Sequence, residues 1–271
     1  MRAGGDAADG AAVFSVLSAS PQPGADVEIQ PGPNVETRSA PDPGVARWAY
    51  AQLLDSALPI GAFSHSFGLE TAVQAGTIAS GREVADYVRA MLHHAWAPMD
   101  ASAVKAVYRY GGESGDWARV WALDETLHVS RPAAETRDGL LKMGRRLLQL
   151  VSAMHPSLDW EPLSRAIRDE ACPGTHPTVH GYAAYRLGVS EDEAAEGYLY
   201  ACVSLAVNTA LRLMAIGQTE AQTMLAALLP DIRAAWARVK AEEPESYYAA
   251  VPAMDVYMMR HEHLYSRLFM S

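Results

Sequence analysis

Apolar residues recur at helical spacing along almost the whole chain from Ala46 onward, and no convincing run of alternating β-branched residues interrupts them. The pattern predicts helices near 46–56, 67–76, 82–110, 116–129, 133–154, 160–171, 177–187, 191–216, 219–229, 231–240 and 253–269. Ser80 with Glu83, Ser190 with Glu193 and Thr219 with Gln222 have the spacing of capping boxes, in which a hydroxyl and a later side chain satisfy free first-turn amides reciprocally. Asp116 is a further N-cap candidate, Gly188 sits where a glycine closes a helix, and Pro230 is placed to end one helix and begin the next. Short connections between such segments predict an all-α fold, a single bundle of about ten helices over residues 46–271.

The segment 191–216 is apolar nearly all round, which marks a central helix. Glu196, Tyr200, Ser204, Asn208 and Arg212 recur every fourth residue along one of its faces. That row reads either as an ordinary solvent-facing stripe or as a polar seam, against another subunit or an internal carboxylate such as Glu70. Residues 1–45 differ in kind: they hold six of the sixteen prolines, six of the twenty glycines and two basic residues. Such a segment buries too little apolar surface to offset its ordering entropy, so a disordered tail is expected, with Val13, Phe14, Val16 and Leu17 as its one candidate docking stretch.

Composition narrows the function. A net charge of −10 and a pI near 5.3 repel a phosphate backbone, so nucleic-acid binding is not expected and a basic partner surface fits better. Two cysteines make no disulfide framework, and the N-terminus lacks the basic patch and apolar run of a secretory leader, so a cytoplasmic location is expected. No uncharged apolar run reaches the roughly 18 residues needed to cross a bilayer.

The candidate chemistry is sparse. In SHSFG the residue two before Ser66 is Ser64, not the glycine of a nucleophile elbow, and no strand leads into it. Ser64 or Ser66 is instead placed to cap the helix that follows. No phosphate-binding loop occurs. Cys172, His176 and His180 are spaced four apart and would share a face on one continuous helix, which leaves a helical metalloenzyme as the rival reading; Pro173, Gly174 and Pro177 interrupt that helix and argue against a closed metal site. The end of the chain, PAMDVYMMRHEHLYSRLFMS, combines Met, Tyr, Leu, Phe and Arg, types enriched at the centres of protein interfaces. It is either a last helix docked on its own core or an anchor for a partner.

The stretches ALPIGAFSHSFGLETAV, SRPAAETRDGLLKMGRRLLQL, THPTVHGYAAYRLGVS with YLYACVSLAVNTALRLMAIGQTEAQ, and MDVYMMRHEHLYSRLFMS resemble, in order and spacing, the UreF family of urease accessory proteins. The resemblance runs from about residue 46 to 271. It implies an all-α, homodimeric scaffold with no catalytic site and no intrinsic cofactor. It further implies partnership with a UreD/UreH-type accessory protein, through it with the UreG GTPase, and delivery of nickel, as cargo, to the urease apoprotein. Carried over by position, Pro59, Gly61, Phe63, Ser64, Ser66, Gly68 and Glu70 fall in a structural or docking loop. Arg260, His261, Glu262, Tyr265, Ser266, Arg267, Leu268 and Phe269 fall in a partner-binding terminus that orders when the UreD-type protein binds. Arg260 and Arg267 are also the candidates for an arginine finger toward the GTPase. A generic helical adaptor with no link to urease is the remaining alternative.

Overall fold

In the computed structural model residues 42–271 are described, and among them the chain is helical without a strand. The helices are α1 (Pro43–Leu53), α2 (Leu69–Gln74), α3 (Gly81–Met91), α4 (Ala101–Ala106), α5 (Trp117–Val129), α6 (Ala134–Met154), α7 (Glu161–Arg168), α8 (His176–Arg186), α9 (Glu191–Leu213), α10 (Gln218–Val239) and α11 (Pro252–Arg260). A π-helical stretch, Leu92–Asp100, joins α3 to α4, and a second, Val107–Glu113, continues α4, so that 81–113 is one rod. Counted with that rod as one, the described residues hold ten helices, one fewer than the eleven predicted segments, because 219–229 and 231–240 are a single helix. Pro98 lies inside the first π stretch, where the widened turn accommodates a residue that has no N–H to give.

The start signals hold where the side chain reaches its amide. Ser80 accepts from Glu83 N, Asp116 from Arg119 N, and Ser190 with Glu193 completes a reciprocal capping box. Gly188 adopts φ +79° after the end of α8. Other expectations are corrected. The helix predicted from residue 46 begins at Pro43, because the Asp42 carboxylate accepts from Gly44 N and Pro43 supplies a helix-ready φ at the first position. The rest of the segment expected to be a tail, with Val13, Phe14, Val16 and Leu17, lies outside the described residues. Thr219 caps nothing, since α10 already begins at Gln218.

Pro230 does not divide α10. The buried stripe Ala221, Leu225, Leu228, Ile232, Ala235 and Val239 runs across it without a phase change while Pro230 faces outward. Continuous burial along that stripe outweighs the roughly 3 kcal/mol an interior proline costs.

α9 runs through the core as its composition requires, with Ala194, Ala195, Leu199, Val203, Val207 and Ala210 buried. Its neighbours approach closely where side chains are absent. A Cβ on Gly144 of α6 would stand 2.1 Å from the Gly174 carbonyl oxygen, and one on Gly181 of α8 would stand 3.0 Å from Cα of Val104. Glycine is therefore what lets α6 and α4 lie against α8 and its leading loop. No helix among the described residues is long and apolar enough to cross a membrane.

Candidate functional site

The residues expected to form a docking loop and those expected to form a partner-binding terminus are brought together into one latch. Gly61, at φ +85°, turns the chain after Pro59, and Gly68, at φ +88°, turns it again into α2. A Cβ on Gly68 would lie 3.0 Å from Met258 of α11, so that glycine is required twice, for its conformation and for contact. Phe67 is left-handed as well, φ +48°, a strained state for a bulky residue. Just before that turn, the successive amides of Ser66 and Phe67 both donate to the backbone oxygen of Ser271, at 2.5 and 3.1 Å.

That arrangement overturns the capping role expected for the serines. The Ser66 hydroxyl donates to the Ser271 oxygen at 2.7 Å, and the Ser64 carbonyl accepts from Met270 N at 2.6 Å, so neither side chain serves α2, whose N-cap is Gly68. His65, buried beside the bare Gly139 of α6, holds the Ser271 hydroxyl at 2.8 Å.

The helix predicted over 253–269 stops early. α11 ends at Arg260, a single tight turn spans His261–His263, and the rest is irregular. The cause is Glu70: its buried carboxylate accepts from Leu268 N at 2.6 Å and from Phe269 N at 3.1 Å, so those amides are unavailable to a helix. His261, with no exposed surface, stands between two acids, Nε2 at 2.9 Å from Glu70 and Nδ1 at 2.7 Å from Glu135 of α6. With both carboxylates ionised, both bonds are made only when both ring nitrogens carry a proton. Glu135 also takes Arg267 at 2.6 Å. Burial works against its charge, but the bonds from His261 and Arg267 outweigh that and hold its carboxyl below the ordinary value.

The partner suggested for Glu70 within the α9 row is corrected. Arg212 donates to the Phe63 carbonyl at 2.5 Å and lies 4.3 Å over the Phe269 ring, while Glu70 takes His261 and the tail backbone. The rest of that row is half-buried rather than solvent-facing.

What the latch leaves outside is apolar. Phe269, His261 and Ser271 are buried, but Tyr265 is fully exposed, and Phe63, Val256, Met259, Leu268 and Met270 all show their side chains to solvent. Arg260 and Glu262 are exposed at the same end, and the Ser266 carbonyl accepts from Gln74. Sequence reasoning missed Glu135, Gln74, His65 and Ser271. The only local signal among them was Gln74, four residues after Glu70 on one helix face.

The rival metal site does not assemble. Cys172 donates its thiol to Asp124 at 3.3 Å, and burial, with that carboxylate nearby, pushes the thiol far up in pKa. His180 pairs with the Tyr50 hydroxyl at 3.0 Å, and the His176 and His180 rings meet edge to face. No group of three or more His, Cys, Asp or Glu among the described residues is placed to hold a metal ion.

Burial moves three histidines in the same direction: His65 down to about 4, with the Lys142 charge adding to it; His176 to about 3, with His180 adding; and His180 to about 4. An unfolded histidine takes up its proton near 6.5, so between that pH and about 4 the unfolded chain binds protons that the folded chain refuses. Stability is thus present above pH 6.5 and lost as pH falls, by up to about 1.4 kcal/mol per pH unit for each site. The urea midpoint should already drop between pH 6.5 and 5, above the range where carboxylates titrate. A flat midpoint there would show that these rings are not held neutral.

Comparison with known proteins follows the same lines. A family model described as UreF matches residues 78–229, an interval that contains neither the 59–70 loop nor the terminus. The urease accessory protein UreF of Bacillus sp. (strain TB-90) is 34% identical over 224 residues, covering 81% of this chain and 96% of that protein. Those of Actinobacillus pleuropneumoniae and Alkalilimnicola ehrlichii are 32% and 33% identical, covering 82% and 85% of this chain and 98% of each relative.

Proposed function

The chain belongs to the UreF family of urease accessory proteins, and from that premise we propose that it matures urease by binding other proteins through the face built on its latched terminus. It is an accessory protein and not an enzyme, in keeping with what its relatives are named. The partner at that face is a UreD/UreH-type protein; the resulting complex recruits the UreG GTPase and, with a second copy of this chain, presents nickel to the urease apoprotein as cargo. Nickel is not a resident cofactor of this chain in that reading.

The observation that supports it is the division of labour in the last eleven residues. Main-chain groups and the side chains of His261, Phe269 and Ser271 hold the segment down, and this costs the protein a strained Phe67 and a buried carboxylate. Tyr265, Leu268 and Met270 gain nothing from that fixation within the chain, since they stay exposed, but they are set in one place beside Phe63 and Met259. A fixed apolar patch bearing Tyr and Met, rimmed by Arg260 and Arg267, has the make-up of an interface centre.

Tyr265→Ala and Leu268→Ser test this, because neither side chain supports the fold. Each should lower capture of the UreD/UreH-type protein at least tenfold while the thermal midpoint stays unchanged, and Val129→Ser, on the equally exposed end of α5, should leave capture intact. Undiminished capture by both terminus variants would remove the patch from the interface.

A further inference from the structure

A cavity of about 390 Å³ lies between α9, the turn from α5 into α6, the 53–63 segment and the start of α11. Its walls are largely apolar and flexible, with Met91, Met99, Met143 and Met258 joined by Leu140 and Leu205. Two residues of its wall carry donors that are unused among the described residues. The Thr136 hydroxyl has no hydrogen-bond partner although the residue is only 6% exposed, and Arg131 Nε is likewise buried and unpartnered. Both residues line the cavity. An orphaned buried donor costs about 1–3 kcal/mol, so two beside one void call for an acceptor.

We propose that this cavity binds a small uncharged amphiphile, whose oxygen head accepts from Thr136 and Arg131 and whose hydrocarbon tail lies among the methionines. The charges around Arg131 select against other heads. Arg131 is already neutralised by Asp100 at 2.5 Å, and Asp100 takes the Tyr198 hydroxyl at 3.0 Å as well. Asp255 lines the same cavity, its carboxyl pushed up by burial. An anionic head would face two carboxyl groups, and an ammonium head, which has donors but no acceptor, could not pair with Arg131 Nε. A ketone, ester or amide oxygen meets neither penalty. Cys202 adds no metal chemistry, because burial keeps its thiol protonated. One ordered water, about 30 Å³ of liquid volume, would satisfy the donors and leave the rest of the cavity empty. The size of the cavity is at the lower end of the roughly 300–1,000 Å³ of small-molecule sites. The cavity shares Phe63, His65, Ser66, Phe67 and Met258 with the latch, but this inference does not rest on the partner-binding reading.

Calorimetric titration of the full chain with octan-2-one, octanoate and octylammonium tests it. The ketone should bind saturably with one molecule per chain, and the two charged probes at least tenfold more weakly. Thr136→Val, which removes the hydroxyl at nearly constant shape, should weaken ketone binding about fivefold, the worth of one neutral hydrogen bond, and Thr136→Ser should restore it. Leu205→Trp, which fills the cavity, should abolish binding. Absence of saturable ketone binding, equal affinity for all three probes, or a crystal structure in which only water bridges Thr136 and Arg131 in the presence of ketone would each overturn the proposal.

Discussion

Replacing Glu70 with alanine should release residues 261–271 while leaving most of the helical body folded. Four donors converge on that carboxylate: His261 Nε2, Leu268 N, Phe269 N and, more distantly, Gln74 Nε2. Without it His261 keeps only Glu135, and two amides lose their acceptor at a site closed to water. Breaking such a buried ionic cluster by removing one member costs about 3–5 kcal/mol. The tail has a cheaper exit than global unfolding, however, because it can peel away, and local opening caps the loss. The expected signature is therefore local. Amide exchange of residues 264–271 should accelerate about a hundredfold or more, the equivalent of roughly 3 kcal/mol, while the α9 core keeps its protection. Capture of the UreD/UreH-type partner should fall with it, since Tyr265 and Leu268 lose their fixed positions. Unchanged protection of the terminus would mean that Glu70 does not hold it.

The contrast between Glu70→Ala and Tyr265→Ala separates two roles that truncation merges. Deleting residues 254–271 would also remove the buried Met258 and uncover the core around Val251, so lost capture by such a chain would not distinguish an anchor from a folding defect. A variant that frees the tail and one that trims its exposed ring, losing capture alike but differing in exchange, identify positioning and contact separately.

Helix periodicity and caps made the architecture legible because each signal is local: Ser190 and Glu193 are three residues apart, and Asp116 needs only Arg119 N. The errors fall where a distant group overrides the local one. Pro230 reads as a break until the buried stripe on α10 is seen to cross it, and 264–269 reads as helix until Glu70, nearly two hundred residues earlier, claims its amides. The latch was half legible, since both of its strands of sequence stand out by composition. Their pairing was not, because hydrogen bonds to the main chain of Ser271 leave no mark on residue type. Asp124 was missed for a related reason. A lone acid on the apolar side of α5, between Leu123 and Leu127, is unremarkable in sequence and becomes central only when the 172–175 loop closes on it.

Asp124 supports the largest stability effect expected in the chain. Its buried carboxylate accepts from Gly174 N at 2.9 Å, Thr175 N at 3.1 Å, the Thr178 hydroxyl at 2.7 Å, the Thr175 hydroxyl and the Cys172 thiol. No cation stands against it in that list. The charge is compensated by oriented N–H and O–H groups at the start of α8, where the helix dipole is positive. Asp124→Ala would strand five donors at once and empty the space that fixes the loop, so a loss on the order of 4 kcal/mol or more is expected. Asp124→Asn should be nearly as harmful, because its amide nitrogen would turn donors against donors. Cys172→Ala, which removes only the weakest of the five, should cost about 1 kcal/mol or less. Urea unfolding followed by circular dichroism ranks the three. If the order were reversed, with Cys172→Ala severe and Asp124→Asn mild, the thiol would have a role beyond this network, and the metal-binding alternative at Cys172, His176 and His180 would have to be reopened.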